Sequence, residues 1–181
     1  GIERRDSNYQ QSTNMPQLHR AVASNARARK PPYGCNIQWS EYNIHRGCQV
    51  SAKFFDRQDP LNPANGTSID SGEGLSTLLS SFLDRKPFFC ELLADNGYKQ
   101  LIGIGGTIGC VQHSPSDGSP PYLMAVANDG INAASETDFL IGNTATPISM
   151  HYCIPFDTVK HIATYFLETG NRDPSISWEE V

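Results

Sequence analysis

The sequence predicts an α+β fold: an antiparallel meander packed by two amphipathic helices, the second followed by a Trp-bearing strand. Three observations carry this. Leu75, Leu78, Leu79, Phe82 and Leu83 recur at helical spacing and form one apolar stripe. Phe156, Val159, Ile162, Ala163 and Phe166 form a second stripe near the C-terminus. Between them lie successive β-prone runs joined by short turns rich in Gly, Asn and Pro, the pattern of sequential strands with a helix before and a helix after.

A chain of 181 residues suits one domain with an extension. A polar, basic extension is expected over residues 1–30, partly disordered or forming one helix, and a single α+β domain over 31–181. Residues 1–30 hold six basic and two acidic groups, a net of +4. The whole chain is at −5, so the remainder carries −9. An acidic body points to a cationic partner, although solubility alone also favours acidic surfaces. No apolar run approaches the ~18 residues of a membrane span, and the first residues lack a charged-then-apolar leader pattern. Cys35, Cys48, Cys90, Cys110 and Cys153 are odd in number and scattered. That fits reduced, buried thiols in a cytoplasmic protein better than a disulfide framework.

Residues 1–14 are polar without an apolar period and are expected to add nothing to a core. A helix over 16–29 would place Leu18, Val22 and Ala26 on one face. Its neighbours Arg20, Arg27, Arg29 and Lys30 lack the interleaved aromatics of a nucleic-acid surface, which favours a solvated tail over a nucleic-acid-binding adaptor. Strands are expected over 35–39 and 49–55, then a Pro/Asn/Gly loop over 59–66. Asp70 and Glu73 have capping-box spacing before a helix over 71–84. A strand over 88–93 leads to Asp95-Asn96-Gly97, read as a tight I′ turn. Further strands are expected over 101–104, 107–111 and 122–127, with one or two more drawn from 139–141 and 149–153.

The ending is the most structured part of the chain. Pro155 can open a helix, where its missing N–H costs nothing. Gly170 is placed to take a left-handed stop, and Pro174 bars continuation. Ser175 to Trp178 alternates as a strand that buries Ile176 and Trp178, with Phe166 and Leu79 nearby.

With Phe166, Gly170, Pro174 and Trp178 so placed, the ending resembles the C-terminal signature of the first immunity-protein family of bacterial polymorphic toxin systems. There an amphipathic helix with a late Phe is followed by a Gly-containing stop, a Pro and a Trp close to the end. The resemblance runs back to about Ile69. It implies a protein that binds and silences a cognate toxin, often a nucleic-acid (cytosine) deaminase and otherwise a nuclease, and that performs no chemistry itself.

Other constellations are weaker. The glycines of Gly103-Ile104-Gly105-Gly106-Thr107-Ile108-Gly109 are followed by a β-prone run, with no lysine near, so a tight hairpin accounts for them better than a phosphate loop. The histidines His19, His45, His113, His151 and His161 show no HxxxH spacing, and the cysteines no CxxC. No metal, cofactor or catalytic residue is therefore expected. A small cysteine- or metal-dependent enzyme is the rival reading. Residues 128–147 hold Asp129, Glu136 and Asp138 without Lys or Arg. They are expected to form a long acidic loop that contacts the partner, flanked by Asp117 and Asp95, or else a solvated connection.

Overall fold

The computed structural model describes residues 50–126 and 135–181. The expected extension over 1–30, the helix over 16–29 and the strand over 35–39 lie outside the described residues. In chain order the elements are β1 (Ala52–Asp56), β2 (Ser68–Ile69), α1 (Gly72–Ser80), β3 (Phe88–Ala94), β4 (Tyr98–Gly105) and β5 (Ile108–Pro115). They continue with β6 (Leu123–Val126), β7 (Glu136–Ile141), β8 (Thr144–Ser149), a 3-10 turn (Met150–Tyr152), β9 (Ile154–Pro155), α2 (Phe156–Thr169) and β10 (Ser177–Glu180). The strands join one open sheet with the path β10-β6-β5-β4-β3-β1-β2. Every pairing along that path is antiparallel. β7 adds a single parallel step, Leu140 beside Phe88 of β3.

Alternation sorts the strand residues onto two faces. Phe54, Phe88, Leu92, Ile102, Ile104 and Val111 are buried on one face against Leu75 and Leu79 of α1 and Val159, Ile162 and Phe166 of α2. Phe82, just past α1, stacks on Phe54 and meets Phe88 edge-on, each at 5.6 Å. The opposite face carries a smaller cluster, Phe89, Cys110, Met124, Phe139 and Cys153. Gly109 lets β4, β5 and α2 close up. A Cβ there would collide with the Gly103 carbonyl and lie 3.0 Å from Val159 Cγ2.

α2 follows its sequence pattern, ending at Gly170 with φ of 69°. α1 differs in detail. Its N-cap is Ser71 rather than Asp70, with the Ser71 hydroxyl accepting from the Gly74 N–H at 3.1 Å. It also stops at Ser80, where the Ser81 hydroxyl bonds back to the Leu78 carbonyl at 2.7 Å and Phe82 turns into the core. The β3–β4 turn is not of type I′, because Gly97 alone has left-handed φ, 88°. Asn96 instead accepts from the Tyr98 N–H at 3.2 Å and donates to the Gly170 carbonyl at 2.8 Å, tying the turn to the end of α2.

The largest departure concerns residues 136–149. The acidic stretch read as a loop is a β-hairpin, β7–β8, turning at Gly142 and Asn143, with φ of 52° and 66°. Two consecutive left-handed residues are the signature of a I′ turn. Residues 150–152, read as part of a strand, form the 3-10 turn instead, started by the Ser149 hydroxyl accepting from the His151 N–H at 3.3 Å.

Trp178 and Ile176 are half-buried rather than fully enclosed, because among the described residues β10 is an edge strand that pairs with β6 and begins only at Ser177. The indole meets His113 at 6.2 Å, which also packs edge-on against Phe166 at 5.6 Å. Its Nε1–H donates to the Asp173 carbonyl at 3.0 Å. Trp178→Ala is expected to cost about 2 kcal/mol in urea unfolding, below the range for an enclosed aromatic. A loss above about 4 kcal/mol would mean that the ring is enclosed after all.

Candidate functional site

The glycine-rich run forms the β4–β5 hairpin. Gly105 pairs with Ile108 across a two-residue turn, Gly106-Thr107, with left-handed φ at Gly106. Strand follows the glycines directly, so no helix N-terminus is aimed at a phosphate there.

Among the described residues the histidines and cysteines do not converge. His151 Nε2 lies 2.9 Å from Glu179, linking the 3-10 turn to β10. His161 Nε2 lies 2.9 Å from Asp173, linking α2 to the segment after it. Cys90, Cys110 and Cys153 are buried, and burial pushes all three thiols up, away from the thiolate that nucleophiles and metal ligands need. No group of three His, Cys, Asp or Glu able to hold a metal occurs among the described residues. His19, His45, Cys35 and Cys48 lie outside them.

The acidic candidates fall into two places. Asp95, in the β3–β4 turn, and Asp117, in the β5–β6 loop, are exposed at one end of the sheet, where the Ser116 N–H donates to the Gly97 carbonyl at 2.9 Å. Asp117 is held below its usual range by the Ser119 hydroxyl and N–H, at 2.7 and 2.9 Å. Glu136 and Asp138 are exposed on β7, on the face opposite buried Phe139. β7 meets β3 at Phe88, whereas Asp95 follows the other end of that strand, so the two pairs stand at different places on the sheet. Asp129 lies outside the described residues.

Two further features escaped sequence reasoning. The β7–β8 hairpin lies across the sheet face opposite the helices and leaves an apolar cavity of about 170 Å³, lined by Phe89, Leu101, Cys110, Met124, Ile141 and Ile148. On the same face Glu91 is buried between Arg57, at 2.5 Å, and Lys99, at 3.7 Å. The signal available was the alternation of Phe89, Glu91 and Leu93 along β3, but the hairpin that covers it comes from far along the chain.

His113 is strongly perturbed. It is buried on β5, stacked on Tyr98 at 5.1 Å. Burial, and then the Arg172 charge, lower its pKa to about 4. The fold thus prefers the neutral ring, while the unfolded chain takes up a proton below its ordinary value of 6.5. This contribution is fully present above that value and declines as pH falls toward about 4. Between pH 7 and 4.5 the decline is expected to reach about 2 kcal/mol. Urea unfolding at several pH values should show it in the parent and not in His113→Gln. An equal decline in the variant would assign the effect to other groups.

The described residues thus build a sheet that presents an apolar cavity, exposed carboxylates and polar networks at its ends, and no converging set of reactive groups among them. In class this is an α+β domain, an open and mainly antiparallel sheet with two helices packed on one face. The chain belongs to the Imm1 family: residues 43–180 match the family described as Immunity protein Imm1. It is accordingly an immunity protein directed against a bacterial toxin. A comparison with curated proteins gives no match. No helix of the described residues is long and apolar enough to cross a membrane.

Proposed function

We propose that this immunity protein acts in the cytoplasm by binding its cognate toxin and covering the active site, and that the toxin is a cationic protein acting on nucleic acid. A base deaminase is the first choice and a nuclease the second. The family match over residues 43–180 carries the reading, and the charge distribution supports the finer part. Toxins that act on nucleic acid need basic surface to hold phosphates, and an acidic body can occupy that surface instead. Glu136 and Asp138 are exposed, and their carboxylates make no hydrogen bond or ion pair among the described residues. Residues 128–147 around them contain no Lys or Arg. Burial of Cys90, Cys110 and Cys153 argues against these three as nucleophiles in the rival cysteine-enzyme reading. Self-protection calls for affinity near ~1 nM, about −12 kcal/mol, and hence an interface of roughly 1,600 Å² with apolar anchors beside the charges. The cavity beside β8 can receive such an anchor.

The test uses the toxin encoded beside this gene. Co-expression should protect cells, and inhibition should titrate at a fixed stoichiometry without consuming substrate. The triple change Asp129→Asn, Glu136→Gln, Asp138→Asn is expected to leave the fold intact and slow association, most clearly at low salt. Deletion of residues 1–14 is the control and should change neither binding nor stability. If the triple variant binds and protects like the parent at every salt concentration, β7 is not the contact. Changes at Asp95 and Asp117 then test the other end of the sheet.

A further inference from the structure

A second cavity, of about 240 Å³, opens between the Tyr98 end of the sheet and the residues after α2. Tyr98, His113, Pro115, Leu123, Asn171 and Arg172 line it. His113 is only 5% exposed, and its Nδ1 is buried without a hydrogen-bond partner. Across the strand pair, Gln100 is fully buried and neither polar atom of its amide has a partner. Buried polar groups are nearly always satisfied, so orphans beside a cavity call for an explanation.

Arg172 is exposed and has no carboxylate partner among the described residues. Asp173, its neighbour in sequence, and Asp117, in the β5–β6 loop, are engaged elsewhere. Asp173 accepts from the Ser175 N–H and hydroxyl, at 2.8 and 2.7 Å, and faces His161. Asp117 accepts from Ser119. The cavity therefore pairs an uncompensated guanidinium with a buried imidazole, inside partly apolar walls. A single guanidinium fork matches the two oxygens of a carboxylate. A dianionic phosphate would want more cations than this acidic body places there.

We propose that this cavity is a carboxylate-binding pocket. Arg172 grips both oxygens, a His113 ring N–H donates one further hydrogen bond, and Pro115, Leu123 and Tyr98 enclose a short aliphatic stem. The carboxylate comes either from an acidic side chain of a protein partner or from a free small acid.

The test is an NMR titration of the full chain with acetate, succinate and N-acetylglutamate α-amide, each against chloride at equal ionic strength. Saturable shifts at His113 and at the Arg172 side chain are expected with the carboxylates and not with chloride. Arg172→Gln should weaken binding by about tenfold, with partial recovery in Arg172→Lys. Arg172 is exposed, so both variants should fold, which their spectra will show. Tighter binding of the glutamate amide than of succinate supports a protein-borne carboxylate, and the reverse order supports a free acid. Shifts that never saturate, that chloride reproduces, or that Arg172→Gln leaves unchanged overturn the pocket. None of these outcomes depends on which toxin the protein blocks.

Discussion

Phe139→Ala is expected to destabilise the protein by about 3–5 kcal/mol, the range for truncating an enclosed aromatic. The side chain is fully buried, although it sits on a hairpin rather than in the helix-covered core. Its ring lies over Gly103 and Gly105 of β4. A Cβ on Gly103 would stand 2.9 Å from the ring, and one on Gly105 3.2 Å. Phe89 closes another side at 5.4 Å. Beyond hairpin and sheet hydrogen bonds, such as Gly142 N–H to the Arg57 carbonyl at 2.9 Å, this fully buried ring ties β7 to the sheet beside half-buried Leu140 and Ile141. Truncating it should loosen the strand that presents Glu136 and Asp138. Toxin binding should then weaken even though both carboxylates remain, whereas Phe139→Leu should keep most of both properties. Urea unfolding and toxin titration on the same variants check this. A stability loss under about 1 kcal/mol would mean that the hairpin is held by other contacts.

That arrangement also shows which features local pattern could reveal. α2 was legible almost to the residue, because its stripe, Pro155 and Gly170 are all local signals. The Asp70 cap was misread because Ser71, one residue later, is equally suited to the place. The β7–β8 hairpin was legible only in part: 139–141 reads as a strand and lies in β7, whereas Glu136, Thr137 and Asp138 read as polar connection. The Gly103–Gly109 run was read correctly as a hairpin, but not as a bare surface for an aromatic ring, since that ring arrives from more than thirty residues away. Exposure of Asp95, Asp117, Glu136 and Asp138 was legible from residue type alone. Their separation into two pairs was not, because it depends on which end of β3 meets β7. The His113–Arg172 cavity had no local signal at all, since His113 falls just past the strand expected over 107–111 and Arg172 just past a helix stop.

Asp56→Ala is expected to cost a further ~3–5 kcal/mol, by leaving a buried partner and several donors unpaired. The Asp56 side chain has no solvent exposure. It pairs with Arg85 at 2.6 Å and accepts from the Gln58 N–H at 2.9 Å, the Asp59 N–H at 2.8 Å and Asn62 Nδ2 at 2.8 Å. Its own N–H donates to Asn65 Oδ1 at 2.5 Å, so one residue organises the whole Asp59–Gly66 loop. Arg85 is in turn stacked 3.9 Å over the Phe88 ring, which ties the ion pair to the core. Burial alone would raise this carboxyl, but the hydrogen bonds from Arg85, Asn62 and the two backbone amides together hold it below its ordinary value of 3.8. The carboxylate therefore contributes its stability above that value and loses it as pH falls through the lower folded-state value. This window lies below the one assigned to His113, so the two groups separate along one pH series. Asp56→Asn should cost less than alanine, since the amide oxygen still accepts from the loop while its NH₂ faces Arg85. Urea unfolding of both variants at pH 7 and in acid measures the effect. A loss in Asp56→Ala under about 1 kcal/mol at pH 7 would show that the loop holds its shape without this carboxylate.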